Sequence, residues 1–161
     1  MMSKASRAGY VFETEVERGF DLIKDLQVYK IPDGKSLGRI IPMKVPCDFI
    51  VSKNGEIATF EAKQTKLPRI PWRNFKDHQL QWVIQNPEVA FFVVNFNNRK
   101  DINRTFVIDG HTTREAIKKF PNSVPMQYFA DNGLEVERKT SKYHPNKKGA
   151  FIDFSYLATT L

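Results

Sequence analysis

The dipeptide Asn54-Gly55 separates two short apolar runs, which span residues 47–52 and 57–62. Both positions of the dipeptide tolerate a positive φ, which is the backbone conformation that tight hairpin turns require. The second run is rich in β-branched and aromatic residues, as strands usually are. The sequence therefore predicts a β-hairpin over residues 47–62. Any fold of this chain must contain these two strands as antiparallel neighbours.

Hydrophobic periodicity predicts helices and strands on both sides of the hairpin. Apolar residues recur at the helical period over residues 9–26, and the apolar run 89–96 is typical of a buried central strand. The other expected elements are an extended piece at 28–31, helices at 75–85 and 112–120, a strand at 104–109, possible strands at 126–129 and 134–138, and a strand or helix at 151–157.

The connecting segments are polar and mostly basic. Loops are expected at residues 32–46, 64–74 and 138–148, and residues 1–8 look like a flexible basic arm. No repeat or linker divides the chain, so we expect a single domain over residues 1–161. The order of elements favours the α/β class, with a mixed β-sheet flanked by α-helices.

Composition restricts the classes of function. Lys and Arg number 25 and Asp and Glu 18, giving a net charge of +7, which favours a polyanionic partner such as nucleic acid. The single cysteine, Cys47, excludes an internal disulfide framework and a cysteine-based zinc site. No apolar run approaches the roughly 20 residues that cross a bilayer, and no signal-peptide region is visible. These features predict a cytoplasmic protein.

Two carboxylates and one ammonium group are predicted to meet on the hairpin. Glu61 and Lys63 stand two positions apart in a strand, so their side chains project from the same face. The hairpin brings Asp48 alongside them. Oxygen ligands of this kind suit Mg²⁺, and the peptide carbonyl of Ala62 could add another.

This set of groups fits phosphodiester hydrolysis. A divalent cation would polarise the phosphoryl group and lower the pKa of a bound water. Lys63 would orient or deprotonate that water and offset charge in the transition state, a role that suits lysine because it loses its proton more readily than arginine does when it is desolvated. We therefore expect a nuclease that depends on Mg²⁺, with Mn²⁺ as a substitute.

The same triplet of residue types is common at solvated strand edges, so further features have to support the active-site interpretation. Phe60 and Ala62 alternate with the charged residues, which gives a polar face to a strand in a buried region. Asp48 stands at hairpin spacing, and basic loops that could bind phosphates lie on both sides. The predicted DNA-binding residues are Arg7, Lys35, Arg39, Lys66, Arg69, Arg73 and Lys76.

Two aromatic side chains near these loops allow more than one interpretation. His78 would be a structural or phosphate-contacting residue more often than a general base, because Lys63 already fills that role. Trp72 lies between Pro71 and Arg73 in a basic loop, where it would either pack in the fold or contact DNA or a second protomer.

Asp48 followed by Glu61-Ala62-Lys63 resembles the core motif of the PD-(D/E)xK nuclease superfamily. The more specific resemblance, over roughly residues 9–118, is to Holliday junction resolvases of the archaeal type and of the RecU type of Gram-positive bacteria. The first-helix pattern of the archaeal type is matched by Gly9, Phe12, Glu13, Glu15 and Val16. The RecU pattern is matched by Thr65, Lys66, Pro68, Asn74, Phe75, His78 and Gln79.

The resemblance implies a restriction-endonuclease-like fold and a homodimer that places two symmetric nicks in a four-way DNA junction during recombination and repair. It implies metal binding by Glu13, Asp48 and Glu61, catalysis by Lys63 and support of the site by Gln79. Glu15 is an alternative to Glu13, because it falls nearer the apolar face of the helix. A less selective endonuclease and a non-cleaving recombination accessory protein are the competing functions.

The sequence departs from the resolvase pattern in three places, one of which is Cys47, which separates Pro46 from Asp48. The archaeal type carries Ser-Gly in the loop before its aspartate, whereas Ser36 is followed here by Leu37 in a longer loop. Residues 121–161 match poorly.

Overall fold

The hairpin that the sequence predicts is formed by strands β2 (Phe49–Lys53) and β3 (Glu56–Thr65). Its turn has φ values of 54° at Asn54 and 85° at Gly55, so the dipeptide adopts the left-handed conformation that a tight turn needs. These features come from a computed structural model, which describes residues 3–32, 44–140 and 149–161.

The hairpin belongs to a mixed β-sheet with four further strands: β1 (Gln27–Lys30), β5 (Ala90–Asn97), β6 (Asn103–Ile108) and β8 (Leu134–Val136). The order of strands in the sheet is β1-β2-β3-β5-β6-β8. The pair β3–β5 is parallel, and the other neighbours are antiparallel. This arrangement confirms the predicted α/β class with a mixed sheet.

Short strands add two smaller pairs outside the main sheet. β4 (Arg69–Pro71) pairs with β7 (Ser123–Pro125), and β9 (Arg138–Lys139) pairs with β10 (Phe151–Ile152). A 3-10 helix, Trp72–Asn74, follows β4.

Helix α1 (Lys4–Asp21) covers one face of the sheet. Its apolar side buries Phe12, Val16 and Phe20 against Phe49 and Phe60 of the hairpin. The close approach of α1 to β10 depends on Gly19, because a Cβ there would lie 1.9 Å from the carbonyl oxygen of Ile152. The short C-terminal helix α5 (Leu157–Thr160) adds Leu157 to the same core.

The opposite face of the sheet is covered by three helices. They are α2 (Asp77–Gln85), α3 (Gly110–Lys119) and α4 (Met126–Asn132). Val83, Ala116 and Phe129 of these helices pack on Phe92 and Phe106 of the sheet. The hairpin therefore lies between two hydrophobic layers, and a polar side chain on β3 is shielded from solvent.

Several predicted boundaries are wrong. Helix α1 begins at Lys4 and ends at Asp21, so residues 4–8 belong to the helix and not to a separate arm. The segment 126–129 is helical, because Tyr128 and Phe129 are both buried against the aromatic core, which a helix turn allows and an alternating strand does not. Residues 151–152 form a strand and a helix begins only at Leu157.

Among the described residues, no helix has the length and apolar character needed to span a membrane.

Candidate active site

Asp48 is fixed directly to the strand that carries the other candidate groups. Its backbone N–H donates to the carbonyl oxygen of Phe60 at 3.0 Å, and its Oδ2 accepts a hydrogen bond from the backbone N–H of Ala62 at 2.8 Å. The hairpin pairing therefore continues past the start of β2 by one residue. As a result, the Asp48 carboxylate is held beside Glu61, as the sequence predicts.

Glu61 lies on the face of β3 that is covered by α2, and only 3% of the residue is exposed. Its Oε1 accepts hydrogen bonds from Lys63 Nζ at 2.6 Å and from Gln79 Nε2 at 2.5 Å. Its Oε2 is buried and has no hydrogen-bond partner in the described part of the chain. A buried carboxylate oxygen without a partner is costly, so this atom is suited to an electropositive ligand.

Gln79 is held in one orientation by the start of helix α2. Its Oε1 accepts from the backbone N–H of Lys76 at 3.2 Å, which satisfies a backbone donor at the helix N-terminus. Because Oε1 is engaged in this way, the NH₂ group of the amide faces Glu61. The structure therefore places the Gln79 amide against Glu61.

Burial raises the pKa of all three acids around the site. The pKa of Glu61 is raised to about 8, first by desolvation and then by the negative charge of Asp48, and Lys63 offsets only part of this. Desolvation also raises the pKa of Asp48, against the hydrogen bond from Ala62 and the charge of Lys63. Acids destabilised in this way gain from a bound cation, since the cation restores the charged form.

Glu13 stands at the edge of this acidic group. Desolvation raises its pKa, and the charge of Asp48 raises it further. Its Oε2 lies 3.7 Å from Lys30 Nζ, and the same ammonium lies 3.6 Å from Glu17 Oε2. No sequence pattern predicts that Lys30 lies near these acids. Its position depends on the packing of β1 against α1, which has no local signal in the sequence.

Glu15, the alternative to Glu13, faces a different partner. Its two carboxylate oxygens accept from the guanidinium of Arg138 at 2.8 and 3.0 Å. The residue is buried, as its position near the apolar face of the helix indicates. This ion pair connects α1 to β9 and engages both carboxylate oxygens of Glu15.

The donor set fits a hard cation with few protein ligands. Within residues 3–32, 44–140 and 149–161, no three side chains of the Asp, Glu, His or Cys type stand close enough to form a complete metal cage. Mg²⁺ does not need one, because it is usually held by one or two carboxylates and keeps several waters. Asp48 and Glu61, with the unpartnered Oε2 of Glu61, meet that requirement.

Five of the predicted phosphate-binding residues lie in the described part of the chain. Arg7, Lys66, Arg73 and Lys76 are exposed, whereas the guanidinium of Arg69 donates to Ser123 at 2.7 and 2.9 Å. Lys35, Arg39 and Ser36 lie outside the described residues.

Trp72 has a structural role in the described chain. Its Nε1–H donates to the carbonyl oxygen of Phe120 at 2.7 Å, and its ring packs on Phe75 with 5.4 Å between centroids. Both contacts belong to the fold, in agreement with the packing interpretation of this residue.

Comparisons with known proteins identify the family and the fold of the chain. The sequence profile of the family described as Recombination protein U, RecU, matches residues 26–149, a range that contains Asp48, Glu61, Lys63 and Gln79 but not Glu13. Among solved structures, Hjc of Archaeoglobus fulgidus, a Holliday junction resolvase, is similar with a TM-score of 0.51 and 9% identity over 96% of this chain and 98% of that chain. This likeness shows a shared fold. No curated protein matches the sequence.

Proposed function

The chain belongs to the RecU family of Holliday junction resolvases, and we propose that it is a Mg²⁺-dependent endodeoxyribonuclease that places paired symmetric nicks in four-way DNA junctions. The observation that carries the metal dependence is the buried, unpartnered Oε2 of Glu61 beside Asp48 and Lys63. A solvated strand edge has no such atom.

Asp48 and Glu61 are the proposed metal ligands, with the carbonyl of Ala62 as a further oxygen. Glu13 is the third proposed metal-binding acid. Desolvation and then the charge of Asp48 raise its pKa, and a nearby cation would relieve that repulsion. Because no three acids of the described residues form a direct cage, Glu13 would bind the cation through one of the waters that Mg²⁺ keeps. When bound, Mg²⁺ would polarise the scissile phosphate and acidify water; Mn²⁺ would do the same.

Lys63 is the proposed catalytic lysine. Its ammonium group lies 2.6 Å from Glu61 Oε1, and its side chain is only 13% exposed, so it is held in one place before substrate binds. From there it would orient the attacking water and offset negative charge that develops on the phosphate. Gln79 keeps Glu61 in position by donating to the oxygen that Lys63 also contacts.

The positive net charge of the chain supports DNA as the proposed substrate. The net charge of +7 and the exposed residues Arg7, Lys66, Arg73 and Lys76 fit binding of a phosphate backbone. We also assign Arg69, Lys35 and Arg39 to this backbone. We take residues 1–161 as one nuclease domain that acts on DNA in the cytoplasm.

A four-way junction has two-fold symmetry, and two coordinated nicks need two active sites related by the same axis. We therefore propose a homodimer that acts in recombination and repair.

The experiment compares a synthetic four-way junction with a linear duplex of the same arm sequence, each with Mg²⁺, Mn²⁺ or EDTA. We expect paired nicks in the junction, little cutting of the duplex and no cutting in EDTA. Equal rates on both substrates would replace the proposal with a less selective endonuclease. Tight junction binding without cutting in any divalent metal would instead indicate an accessory protein.

A further inference from the structure

Helix α2 contacts the segment that leads into Asp48 through a residue that the reaction does not use. His78 Nε2 lies 2.9 Å from the backbone carbonyl oxygen of Val45. A carbonyl oxygen only accepts, so the ring must carry its proton on Nε2 and donate to Val45. The bond joins parts of the chain that are 33 residues apart, and Val45 lies just before Cys47 and Asp48.

His78 and Gln79 are adjacent in the first turn of the same helix. Successive helical residues point about 100° apart, so neighbouring side chains reach different partners. Here His78 reaches the segment before β2, and Gln79 reaches Glu61 on β3 at 2.5 Å. The start of α2 is therefore attached at two points to the two chain segments that carry the acids.

The two attachments depend on each other through the rigid helix backbone. Gln79 can donate to Glu61 only while the N-terminus of α2 keeps its distance from β3. The contact of Gln79 Oε1 with the Lys76 N–H orients the amide but does not fix the helix relative to the sheet. The later turns of α2 are held on the sheet by the buried Val83 and by the bond from Trp82 Nε1 to Thr59 Oγ1 at 2.9 Å. The bond from His78 to Val45 attaches the first turn, where Gln79 lies, to the segment that leads into the hairpin.

We propose that His78 is a positioning residue: it holds the N-terminus of α2 on the segment before Asp48, so that Gln79 stays in contact with Glu61. The expected effect of His78 on cleavage rests on the proposed function, whereas its expected effect on the position of Gln79 does not. The role assigned to His78 includes neither proton transfer nor phosphate binding.

The first test does not depend on nuclease activity. In the metal-free protein, the side-chain amide protons of Gln79 are followed by NMR in wild type, His78→Gln and His78→Leu. Glutamine can still donate from a position close to Nε2, whereas leucine cannot donate. We expect the shifted, slowly exchanging Gln79 amide signal of wild type to persist in His78→Gln and to move to the position of a free amide in His78→Leu. An unchanged signal in His78→Leu would overturn the inference.

The second test is a double-mutant cycle on junction cleavage with His78→Leu and Gln79→Ala. If His78 acts through Gln79, each single variant lowers kcat by about 10- to 100-fold and the double variant is no worse than Gln79→Ala within about twofold. Junction binding in EDTA stays at the wild-type level. Additive losses, or a loss of binding in His78→Leu, would show that His78 acts independently and contradict the inference.

His111→Leu is the matched control. This histidine is exposed and lies 3.0 Å from Glu88, which follows the C-terminal end of α2, so the same substitution should leave both the amide signal and kcat unchanged. If wild type itself fails to cut junctions, the proposed function fails, and the NMR comparison still decides the role of His78.

Discussion

The side-chain amide of Gln79 donates to Glu61 Oε1 at 2.5 Å, and this bond connects helix α2 to the strand that carries the candidate metal ligands. It leaves Oε2 of the same carboxylate buried and unpartnered among the described residues. One oxygen of Glu61 is thus held by the protein while the other is available to a cation. This division predicts that a glutamine, and not an acid, is needed at position 79.

Gln79→Glu tests that prediction. The glutamate can still accept from the Lys76 N–H, but it places a second negative charge against Glu61 and removes the donor. We expect kcat on a junction to fall by about 100-fold or more, as when a single positioned donor is lost from an active site. Steady-state cleavage measures the loss. The control is Gln81→Glu, an exposed position on the same helix, and equal kcat values for the two variants would contradict the role of Gln79.

Glu13 and Glu15 are separated by comparing cleavage with stability. Glu13→Gln should abolish metal-dependent cleavage and leave the midpoint of urea unfolding nearly unchanged. Glu15→Gln should lower the free energy of unfolding by about 1–2 kcal/mol, because it breaks a partly exposed ion pair with Arg138, and should keep cleavage where the protein is folded. Full activity of Glu13→Gln would remove Glu13 from the metal site.

The raised pKa of Glu61 predicts how the stability of the metal-free protein depends on pH. Its pKa is near 4.5 in the unfolded chain and about 8 in the folded protein. Between these values the folded state keeps a proton that the unfolded state has lost, so the free energy of unfolding should fall as pH rises from 4.5 to 8. Thermal unfolding in EDTA measures this trend. Glu61→Gln stays neutral at every pH and should show a weaker dependence; an identical slope would contradict the burial of a protonated Glu61.

The affinity for Mg²⁺ should change with pH in the opposite direction to the free energy of unfolding. Only the ionised carboxylate binds Mg²⁺, so the affinity should increase with pH and level off above about 8. Isothermal titration in two buffers of different ionisation enthalpy would detect the released proton. Binding that is independent of pH over this range would argue that Glu61 is not a ligand.

Local signals explain what the sequence could predict of the fold and the site. The hairpin depends on Asn54-Gly55 and its flanking strands, and the alternation along β3 puts Glu61 and Lys63 on one face, so both followed from neighbouring residues. The contacts that complete the site do not. Lys30 reaches Glu13 and His78 reaches Val45 through tertiary packing, which leaves no pattern in the sequence.

The sequence-based prediction for helix α4 was wrong for a different reason. The segment from Met126 is short and rich in aromatic residues, so periodicity alone does not separate a strand from a helix. The structure resolves the ambiguity through Phe129, which packs on Phe96 with 5.2 Å between ring centroids. Pro125 before the helix and Gly133 after it were the available boundary signals.

Asp48→Asn gives the most direct test of the metal-dependent nuclease. Asparagine keeps the size of the side chain and an oxygen for the Ala62 N–H but removes the charge that would hold the cation. Wild type and variant are compared on one four-way junction, for binding in EDTA and for cleavage in Mg²⁺. We expect equal binding, paired nicks by wild type, and a loss of cleavage of about 1,000-fold or more in the variant. Undiminished cleavage by Asp48→Asn would contradict the assignment of the active site.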